Sequence, residues 1–390
     1  MHIMPRNTIL INRYCAINIL SGLSWESKMR KTLVVYCIGI TGLLINVFIS
    51  SNVNATVVLQ YHHIDENTPK STSLSPKLFE QHLDYLQDND YRVLSMSEFI
   101  SSLAEPEESR AKSVVITFDD GYQSIYKNAF PLLKERKLPF TVFINTLPLI
   151  NELPQFMSWR QLKEMSQFGA SIVNHSVNHP HLIRRQARET EAMWTVRITN
   201  EIKDAQTLIE NQLGYTPKVF AYPFGEYDLQ VKKIVKTLGY IGFSQHSGAV
   251  DKNTDLLAIP RFPFGGSYGS MEDFKVKVSS LAMPIHSIEL IGNDGQRLED
   301  HVLSNENLKP SLHLILSDSF KNLKVQCFLS GHGSLEVKEI ESLRVVKSPV
   351  ELKPGRSRIN CTAPTGKGGQ FYWFSQTWIV RNRDGSWYKE

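Results

Sequence analysis

The sequence predicts a parallel α/β barrel followed by a smaller all-β domain. Short β-branched runs alternate with helical segments as far as about residue 283, a pattern typical of parallel strands joined by crossover helices. Beyond residue 284 helical periodicity ends, and β-like runs are separated by Gly, Asn, Pro and Ser. A chain of 390 residues is long enough for two domains with a sizeable core.

The first domain, which we place at residues 56–283, alternates strands with helices. The predicted strands are Val57–Tyr61, Val114–Phe118, Phe140–Ile144, Ala170–Val173 and Lys218–Tyr222. Ser75 and Pro76 form an N-cap followed by proline at the first helical position, and so open a helix that also carries His82. Further helices are predicted near residues 129–136 and 189–213. Strand, helix and strand at this spacing indicate a parallel sheet closed into a barrel.

The second domain, residues 284–390, is predicted to be a β-sandwich. Its candidate strands are Leu312–Leu316, Leu323–Leu329, Leu335–Ile340, Leu343–Val346 and Gln370–Val380. The last run contains four consecutive aromatic residues, Phe371–Phe374. Successive side chains of a strand point to opposite faces. We therefore expect these aromatic rings to pack partly in the core of the sandwich and partly against the barrel. The alternative is that they form a platform that binds sugar rings.

Composition and charge restrict the class of protein. The chain is 42% hydrophobic and 21% charged, which excludes a disordered chain or a coiled coil. The formal net charge of +4 comes wholly from the first 55 residues, which hold five basic residues against one acid. The rest is close to neutral and lacks the electrostatic footprint of a nucleic-acid binder, so we expect no nucleic-acid partner.

Residues 29–55 have the form of a signal peptide. Met29-Arg30-Lys31 is a basic region, Leu33 to Ile49 is apolar, and Val53-Asn54-Ala55 places small residues at the −3 and −1 positions of a cleavage site. Residues 1–28 would then be an upstream extension. An uncleaved membrane anchor is the alternative, since about 17 apolar residues are just enough to span a bilayer. We expect export to the periplasm, the cell surface or the medium, with no span in the mature chain if the signal is cleaved.

The cysteines agree with export. Cys327 and Cys361 remain as an even pair once the leader is removed, and such a pair in an exported chain suggests a disulfide. Two unpaired buried thiols are the alternative.

The strongest chemical signal is Thr117-Phe118-Asp119-Asp120-Gly121, which ends a predicted strand. By itself Asp-Asp-Gly is typical of a turn. In a barrel, however, the carboxyl end of a strand is where catalytic groups collect.

A second signal is His175-Ser176-Val177-Asn178-His179, which follows the strand ending at Val173. This segment places two imidazoles four residues apart on a loop that follows a strand. Together with one carboxylate from the Asp-Asp-Gly segment, they predict a hydrolytic metal site. We expect a divalent ion, with zinc favoured and Ni²⁺, Co²⁺ or Fe²⁺ as alternatives.

A third element is Ala221-Tyr222-Pro223-Phe224-Gly225, again at a strand end. Proline and glycine around an aromatic residue indicate a rigid turn whose backbone N–H groups can point into a site. An ordinary strand-to-helix turn is the alternative.

These three segments resemble the first three motifs of the polysaccharide deacetylases, the NodB-homology or carbohydrate esterase 4 family. The resemblance covers about residues 56–283. Within that family, Gln60-Tyr61-His62-His63-Ile64 and the stretch from Leu74 to Tyr91 resemble the biofilm branch, the poly-β-1,6-N-acetylglucosamine N-deacetylases. In that branch the barrel order is permuted, and the catalytic histidine follows the first strand.

The resemblance implies a role for each motif residue. Asp119 would be the general base, and Asp120, His175 and His179 would be the metal ligands. His62 would be the general acid. The turn Tyr222, Pro223, Phe224 and Gly225 would bind substrate, with the Phe224 N–H helping to hold the oxyanion.

The neighbouring histidines are interpreted more plainly. On a strand, His62 and His63 would face opposite ways. His181 is interpreted as a loop neighbour without a role.

Two departures from the family pattern matter. Many members carry an arginine that braces the base two residues before the motif proline, where this chain has Ala221. Arg261, in Ile259-Pro260-Arg261-Phe262, is our candidate replacement, with a purely structural arginine as the alternative. Gram-negative biofilm deacetylases also carry a large C-terminal glycoside-hydrolase domain, for which this β-rich tail is too short.

The sequence therefore predicts a metal-dependent N-deacetylase of a poly-N-acetylglucosamine exopolysaccharide. The expected partners are the N-acetylated polysaccharide and exopolysaccharide export machinery. Two alternatives are a deacetylase of another glycan, such as chitin oligosaccharide or peptidoglycan, and a catalytically silent carbohydrate-binding protein.

Overall fold

A computed structural model describes residues 55–106 and 112–389 of the chain. The predicted upstream extension, residues 1–28, and nearly all of the predicted signal sequence lie outside the described residues. Within the described ranges, no helix combines the length and apolar character needed to cross a bilayer.

The N-terminal domain is built on an eight-stranded parallel sheet. In chain order the strands of this domain are β1 (Thr56–Tyr61), β2 (His63–Ile64), β3 (Ser73–Leu74), β4 (Arg92–Val93), β5 (Ser113–Phe118), β6 (Phe140–Ile144), β7 (Ala170–Asn174), β8 (Val219–Ala221), β9 (Ile241–Phe243) and β10 (Phe262–Pro263). The sheet order is β10-β1-β5-β6-β7-β8-β9, with β4 beside β5, while β2 and β3 pair separately. The strands curve into a half-barrel, so the predicted barrel is confirmed in an open form.

Helices connect these strands. They are α1 (Pro76–Asp88), α2 (Met96–Ser102), α3 (Phe130–Glu135), α4 (Thr146–Ile150), α5 (Trp159–Gln167), α6 (Glu191–Leu213), α7 (Leu229–Thr237) and α8 (Met271–Val278). The predicted cap is present at the first of them, where Ser75 Oγ accepts a hydrogen bond from the Leu78 N–H at 3.2 Å and Pro76 begins the helix. A π-helical turn, Ile125–Ala129, precedes α3.

His82 lies on α1 as predicted, but it is wholly buried. Its ring nitrogens lie 3.0 Å from the Tyr61 hydroxyl and 3.0 Å from the Gly269 carbonyl. Its ring stacks on Phe274 of α8 at 3.8 Å. The histidine thereby joins α1, β1 and α8.

The C-terminal domain is all β apart from a 3₁₀ turn at Asp318–Phe320. Its strands, with the edge strand that precedes it, are β11 (Leu281–Ala282), β12 (Ile285–Ile291), β13 (Arg297–Leu298), β14 (Val302–Leu303), β15 (Ser311–Leu316), β16 (Gln326–Leu329), β17 (Gly333–Leu335), β18 (Val337–Ile340), β19 (Leu343–Lys347), β20 (Gly355–Pro364) and β21 (Phe371–Val380). One sheet has the order β11-β21-β20-β16-β17 with β14 beside β21, and the other β13-β12-β15-β19-β18.

The strand predictions for this domain need two corrections. The predicted run Leu335–Ile340 is divided between β17 and β18, which belong to different sheets; the chain changes sheets at Glu336, within a continuous β-like sequence. Strands β12 and β20 were not predicted, because polar residues interrupt their apolar alternation.

The predicted disulfide is present between Cys327 and Cys361, which lie opposite each other on β16 and β20. The bond closes a loop of 34 residues, and in the chain-entropy picture this stabilises the domain by about 3–4 kcal/mol.

The aromatic run of β21 packs as core and seam, as we favoured. Tyr372 is buried in the core of the C-terminal domain, whereas Trp373 packs against the core of the barrel. The Trp373 ring meets Phe262 of β10 edge-on, with centroids 5.1 Å apart. This contact places one face of the C-terminal domain against the barrel near the carboxyl end of β10.

Candidate active site

Asp119 and Asp120 follow β5 and point in different directions. The Asp119 N–H donates to the Tyr61 carbonyl at 2.9 Å, which continues the pairing of β5 with β1. The backbone then turns sharply, with φ of 70° at Asp120 and 78° at Gly121. A Cβ at Gly121 would lie 3.0 Å from Ile144 Cγ2, so this turn needs glycine.

Asp119 lies in a wholly buried pair with Arg261. The guanidinium donates from Nη1 to Oδ1 at 2.7 Å and from Nη2 to Oδ2 at 2.8 Å. Gln60 of β1 donates its Nε2–H to Oδ2 at 2.7 Å. Burial alone would raise the pKa of Asp119, but the charges of Arg261, His175 and His62 outweigh it and hold this pKa below its usual value. Asp119 is therefore an oriented, ionised carboxylate.

Asp120 instead faces His175 and His179. Its Oδ1 lies 3.4 Å from Nε2 of each histidine, and one potential ligand atom from each of the three residues lies within 4.8 Å of the others. The pKa of His179 is lowered to about 4, chiefly by burial and by the neighbouring His175. A neutral imidazole leaves a nitrogen lone pair free to bind a metal ion.

The loop that carries the two histidines is held by its own polar side chains. The Ser176 N–H donates to Asn174 Oδ1 at 2.9 Å, and the His179 N–H donates to Ser176 Oγ at 3.0 Å. Glu201 of α6 accepts from the N–H groups of residues 177 and 178. Ser176 and His179 have φ of 73° and 53°, a conformation that side chains other than glycine adopt rarely.

The cluster fits a divalent metal ion on two observations. Asp120 Oδ1 and His175 Nε2 are buried without a hydrogen-bond partner among the described residues, which is costly unless something else binds them. His175 Nδ1 lies 2.8 Å from the Ala221 carbonyl, so Nδ1 carries the proton and Nε2 is the free ligand atom. One carboxylate and two imidazoles with open positions suit zinc or a similar ion.

The third motif forms a tight turn after β8. Phe224 has φ of 58°, and its ring meets His179 at 4.5 Å. Gly225 has φ of 67°, and a Cβ there would lie 2.6 Å from Gln245 Cβ. Tyr222 donates its hydroxyl to the Leu257 carbonyl at 2.8 Å, and Pro223 is buried. The turn therefore lies beside the Asp-His-His cluster.

His62 lies just beyond β1, which ends at Tyr61 as predicted. Its Nε2 is 4.0 Å from Asp119 Oδ2, and its side chain is 18% exposed where that of Asp119 is fully buried. His63 turns away and stacks on Tyr122 at 3.7 Å. His62 is thus the histidine beside Asp119 whose side chain is partly exposed to solvent.

Two residues near the site were missed by the sequence analysis. Gln60 contacts Asp119, and a polar residue inside an otherwise apolar strand was the available signal. Glu226 follows the Pro-Phe-Gly turn and is wholly buried, although a glutamate is seldom buried without partners.

Glu226 is the centre of a buried polar cluster. It accepts hydrogen bonds from His181 Nδ1 at 2.7 Å and from the Tyr388 hydroxyl, and Arg184 Nη2 lies 3.6 Å away. Burial alone would raise the pKa of Glu226, but the hydrogen bonds from His181 and Tyr388 hold this pKa below its usual value.

The interpretation of His181 as a loop neighbour without a role needs correction. Its ring stacks on Phe224 with centroids 3.9 Å apart, and it joins Phe224 to Glu226. His181 contacts the third motif only because the fold brings the two segments together, and their spacing in the sequence does not reveal this contact.

A buried Asp-His-His cluster beside a second oriented carboxylate, at the carboxyl ends of parallel strands, is the arrangement of a hydrolase that can hold a divalent metal ion. Residues 107–242 match the sequence model of the polysaccharide deacetylase family. On this match and the similarities below, the N-terminal domain is similar to the polysaccharide deacetylases, carbohydrate esterases that act on amide bonds.

Three relatives illustrate the similarity. YxkH of Bacillus subtilis (strain 168), named as a polysaccharide deacetylase, is 29% identical over 205 residues, which cover 52% of this chain and 69% of that protein. The poly-β-1,6-N-acetyl-D-glucosamine N-deacetylase of Staphylococcus aureus (strain MRSA252) is 26% identical over 227 residues, covering 53% of this chain and 78% of that one. The structure of the Streptococcus pyogenes deacetylase PplD in complex with acetate is 29% identical, with a TM-score of 0.51 over 56% of this chain and 96% of that one.

Proposed function

We propose that this protein is a metal-dependent hydrolase that removes N-acetyl groups from a poly-N-acetylglucosamine exopolysaccharide, β-1,6-linked, and releases acetate. The observation that carries the proposal is the division of labour between adjacent carboxylates. Asp120 faces two imidazoles, whereas Asp119 is held by Arg261 and faces His62. One carboxylate is thus available for a metal ion and the other for proton transfer.

Asp120, His175 and His179 would hold the ion. When bound, a divalent ion of this kind supplies a Lewis acid for the N-acetyl carbonyl and lowers the pKa of water toward neutrality. The buried, unpaired ligand atoms Asp120 Oδ1 and His175 Nε2 support this assignment.

Asp119 is the proposed general base. Arg261 and Gln60 hold both of its oxygens, so that the carboxylate is oriented and ionised before substrate arrives. It accepts one proton from the attacking water as the water oxygen bonds to the acetyl carbon. The Phe224 N–H is the proposed donor to the carbonyl oxygen as negative charge develops there.

His62 is the proposed general acid. An amine is a poor leaving group unless its nitrogen is protonated, and His62 is the more exposed partner of the His62–Asp119 pair. A proton from the imidazolium passes to the amide nitrogen as the carbon–nitrogen bond breaks. The products are acetate and a glucosamine unit.

The choice of polymer rests on two supports. The staphylococcal relative bears the name of a poly-β-1,6-N-acetyl-D-glucosamine N-deacetylase. In addition, His62 follows the first strand and contacts the base, as the resemblance to the biofilm branch implies. A deacetylase of another glycan keeps the same chemistry and is the alternative.

Export is part of the proposal. Its support is the sequence of residues 29–55, with a basic start, an apolar run and small residues at the expected cleavage site.

Acetate release from β-1,6-linked N-acetylglucosamine oligomers by the zinc-loaded protein tests the proposal. We expect release by the wild type and none above background by Asp119→Asn, which keeps the three candidate ligands. If the protein binds one zinc ion per chain but releases no acetate from these oligomers, the substrate is another glycan. Absence of zinc binding would overturn the metal-dependent mechanism.

A further inference from the structure

A cleft of about 750 Å³ separates the barrel from the C-terminal domain. One wall is the barrel side, formed by the turn after β10 and by α8, and includes Tyr268 and Lys277. The other wall is the outer face of the sheet that contains β16, β20 and β21. The C-terminal domain therefore contributes half of a concave surface that the barrel alone would lack.

The sheet wall follows the alternation of β20. Arg356, Arg358 and Asn360 line the cleft, whereas Ile359 and Cys361 between and beyond them are buried in the domain core. Because the period of a strand is two, alternate polar side chains of β20, from Arg356 to Thr362, face the cleft.

One end of the cleft lies at the candidate active site. Phe224 and Gly225 of the third motif form part of its lining. The Arg356 guanidinium donates to the Phe224 carbonyl and lies 5.8 Å from the Phe224 ring centroid, while that ring is 4.5 Å from His179. Phe224 thus contacts the metal cluster on one side and the cleft on the other, so the units next to one held at the cluster lie toward the cleft.

Arg358 is the lining residue best placed to bind a ligand. Its guanidinium makes no hydrogen bond or ion pair with any residue in the described ranges, although the side chain is half-buried. Burial, together with the charge of Arg356, lowers the pKa of Arg358. A partly desolvated guanidinium has five donors to satisfy, and sugar hydroxyl and carbonyl oxygens are acceptors of the right kind.

Aromatic side chains add flat surfaces along the same cleft. Tyr268 is 62% exposed and Phe328 is 41% exposed, and they lie on opposite walls. Large exposed aromatic faces beside polar donors are typical of binding grooves.

We propose that this cleft binds the sugar units flanking the one that reacts, and that it favours acetylated units over units with a free amine. The inference rests on the proposed function. Lys277 lies 3.8 Å from Asp273 and Arg356 lies 3.9 Å from Glu226, so these two cations have carboxylate partners. The positive charge of Arg358 remains uncompensated among the described residues of the lining, so an ammonium group beside it is repelled while a neutral N-acetyl group is not.

The first test compares kcat/KM for acetylated oligomers of two to six units. We expect the hexamer to exceed the dimer, and Arg358→Gln or Tyr268→Ala to lower kcat/KM on the hexamer about tenfold through KM, as for one lost charged hydrogen bond or stacking contact. The fall in kcat/KM should be smaller for the dimer, which has a single flanking unit. Arg383→Gln and Tyr215→Ala are matched controls, because both side chains are 88% exposed and lie outside the cleft lining.

The second test replaces one flanking unit of the hexamer by glucosamine. For wild type and Arg383→Gln, kcat/KM should be lower on this oligomer than on the fully acetylated hexamer. For Arg358→Gln, the difference in kcat/KM between the two oligomers should be smaller. Equal kinetics for wild type and Arg358→Gln on every oligomer would overturn the proposal.

Calorimetric binding separates failure of the cleft from failure of the proposed function. The Asp119→Asn protein should bind the acetylated hexamer about tenfold more tightly than the Asp119→Asn, Arg358→Gln double variant. This difference in affinity can be measured even if the wild type releases no acetate. Absence of acetate release would count against the proposed function but not against binding in the cleft. Equal affinities of the two variants for the hexamer would overturn the proposal that the cleft binds the polymer.

Discussion

Arg261 and Asp119 form a two-point ion pair with both side chains fully buried. They are 142 residues apart in the chain, and the pair crosses from the segment at β10 to the end of β5. Ala221, at the position where many relatives carry the bracing arginine, has no side chain that could reach the carboxylate. Its carbonyl instead faces His175 Nδ1, so one strand end orients the metal cluster while another orients Asp119.

Breaking this pair should destabilise the protein and remove activity. We expect Arg261→Gln to lower the free energy of unfolding by about 3–5 kcal/mol, because it leaves a buried carboxylate without its counter-charge. Urea unfolding measures the change. The double variant Arg261→Gln, Asp119→Asn should recover part of the loss, since the buried charge is then gone. A double variant as unstable as the sum of the singles would contradict a direct pair.

The two adjacent aspartates should differ in metal binding. Asp120→Ala removes one of three candidate ligands, and we expect zinc affinity to fall at least about 100-fold. Asp119→Asn should keep one zinc per chain, because Asp119 is bound to Arg261 and Gln60 rather than to the cluster. Zinc content after dialysis distinguishes the two. Equal zinc loss in both variants would contradict the separate roles.

Glu226 is expected to act as a positioning residue through His181. Glu226→Gln should lower kcat about tenfold and leave KM and zinc affinity nearly unchanged, because His181 stacks on Phe224 but the metal cluster is untouched. Tyr388→Phe removes one hydrogen bond to the same carboxylate and should have a smaller effect. A fall in zinc affinity parallel to that in kcat would indicate general loss of structure instead.

His82 should make stability depend on pH in the acid range. Burial, with a contribution from Lys277, lowers the pKa of His82 from 6.5 to about 3, against the opposing effect of the Gly269 carbonyl. Below pH 6.5 the unfolded chain therefore binds a proton that the folded protein does not. The free energy of unfolding should fall as the pH falls from about 6.5 toward 3.

Replacement of His82 tests this dependence. In His82→Gln, the slope of unfolding free energy against pH between 6 and 4 should be smaller by up to about 1.4 kcal/mol per pH unit, the value for one proton. Denaturant unfolding at several pH values measures it. His286→Gln is the matched control, because it removes an exposed imidazole where His82→Gln removes a buried one.

Much of the fold and the core of the site could be predicted from local patterns. The cap at Ser75, the strand before Asp119 and the paired histidines are each determined within a few residues of chain. Strands β12 and β20 and the change of sheets at Glu336 were not predicted, because polar residues at sheet faces weaken the period-two signal. The second failure, at His181, has a different origin, since its partners Phe224 and Glu226 lie 43 and 45 residues further along the chain.

The sequence by itself determined the parallel architecture of the barrel, the β character of the C-terminal domain and the residues able to perform the chemistry. These depend on side-chain periodicity, turn residues and functional groups, all of which are legible along the chain. Only the tertiary structure decided that Arg261 contacts Asp119, that Glu226 joins His181 to Tyr388, and that a cleft between the domains leads away from Phe224. Such contacts join residues far apart in the chain, and their formation depends on the packing of whole elements and on the burial of charge, which no local pattern encodes.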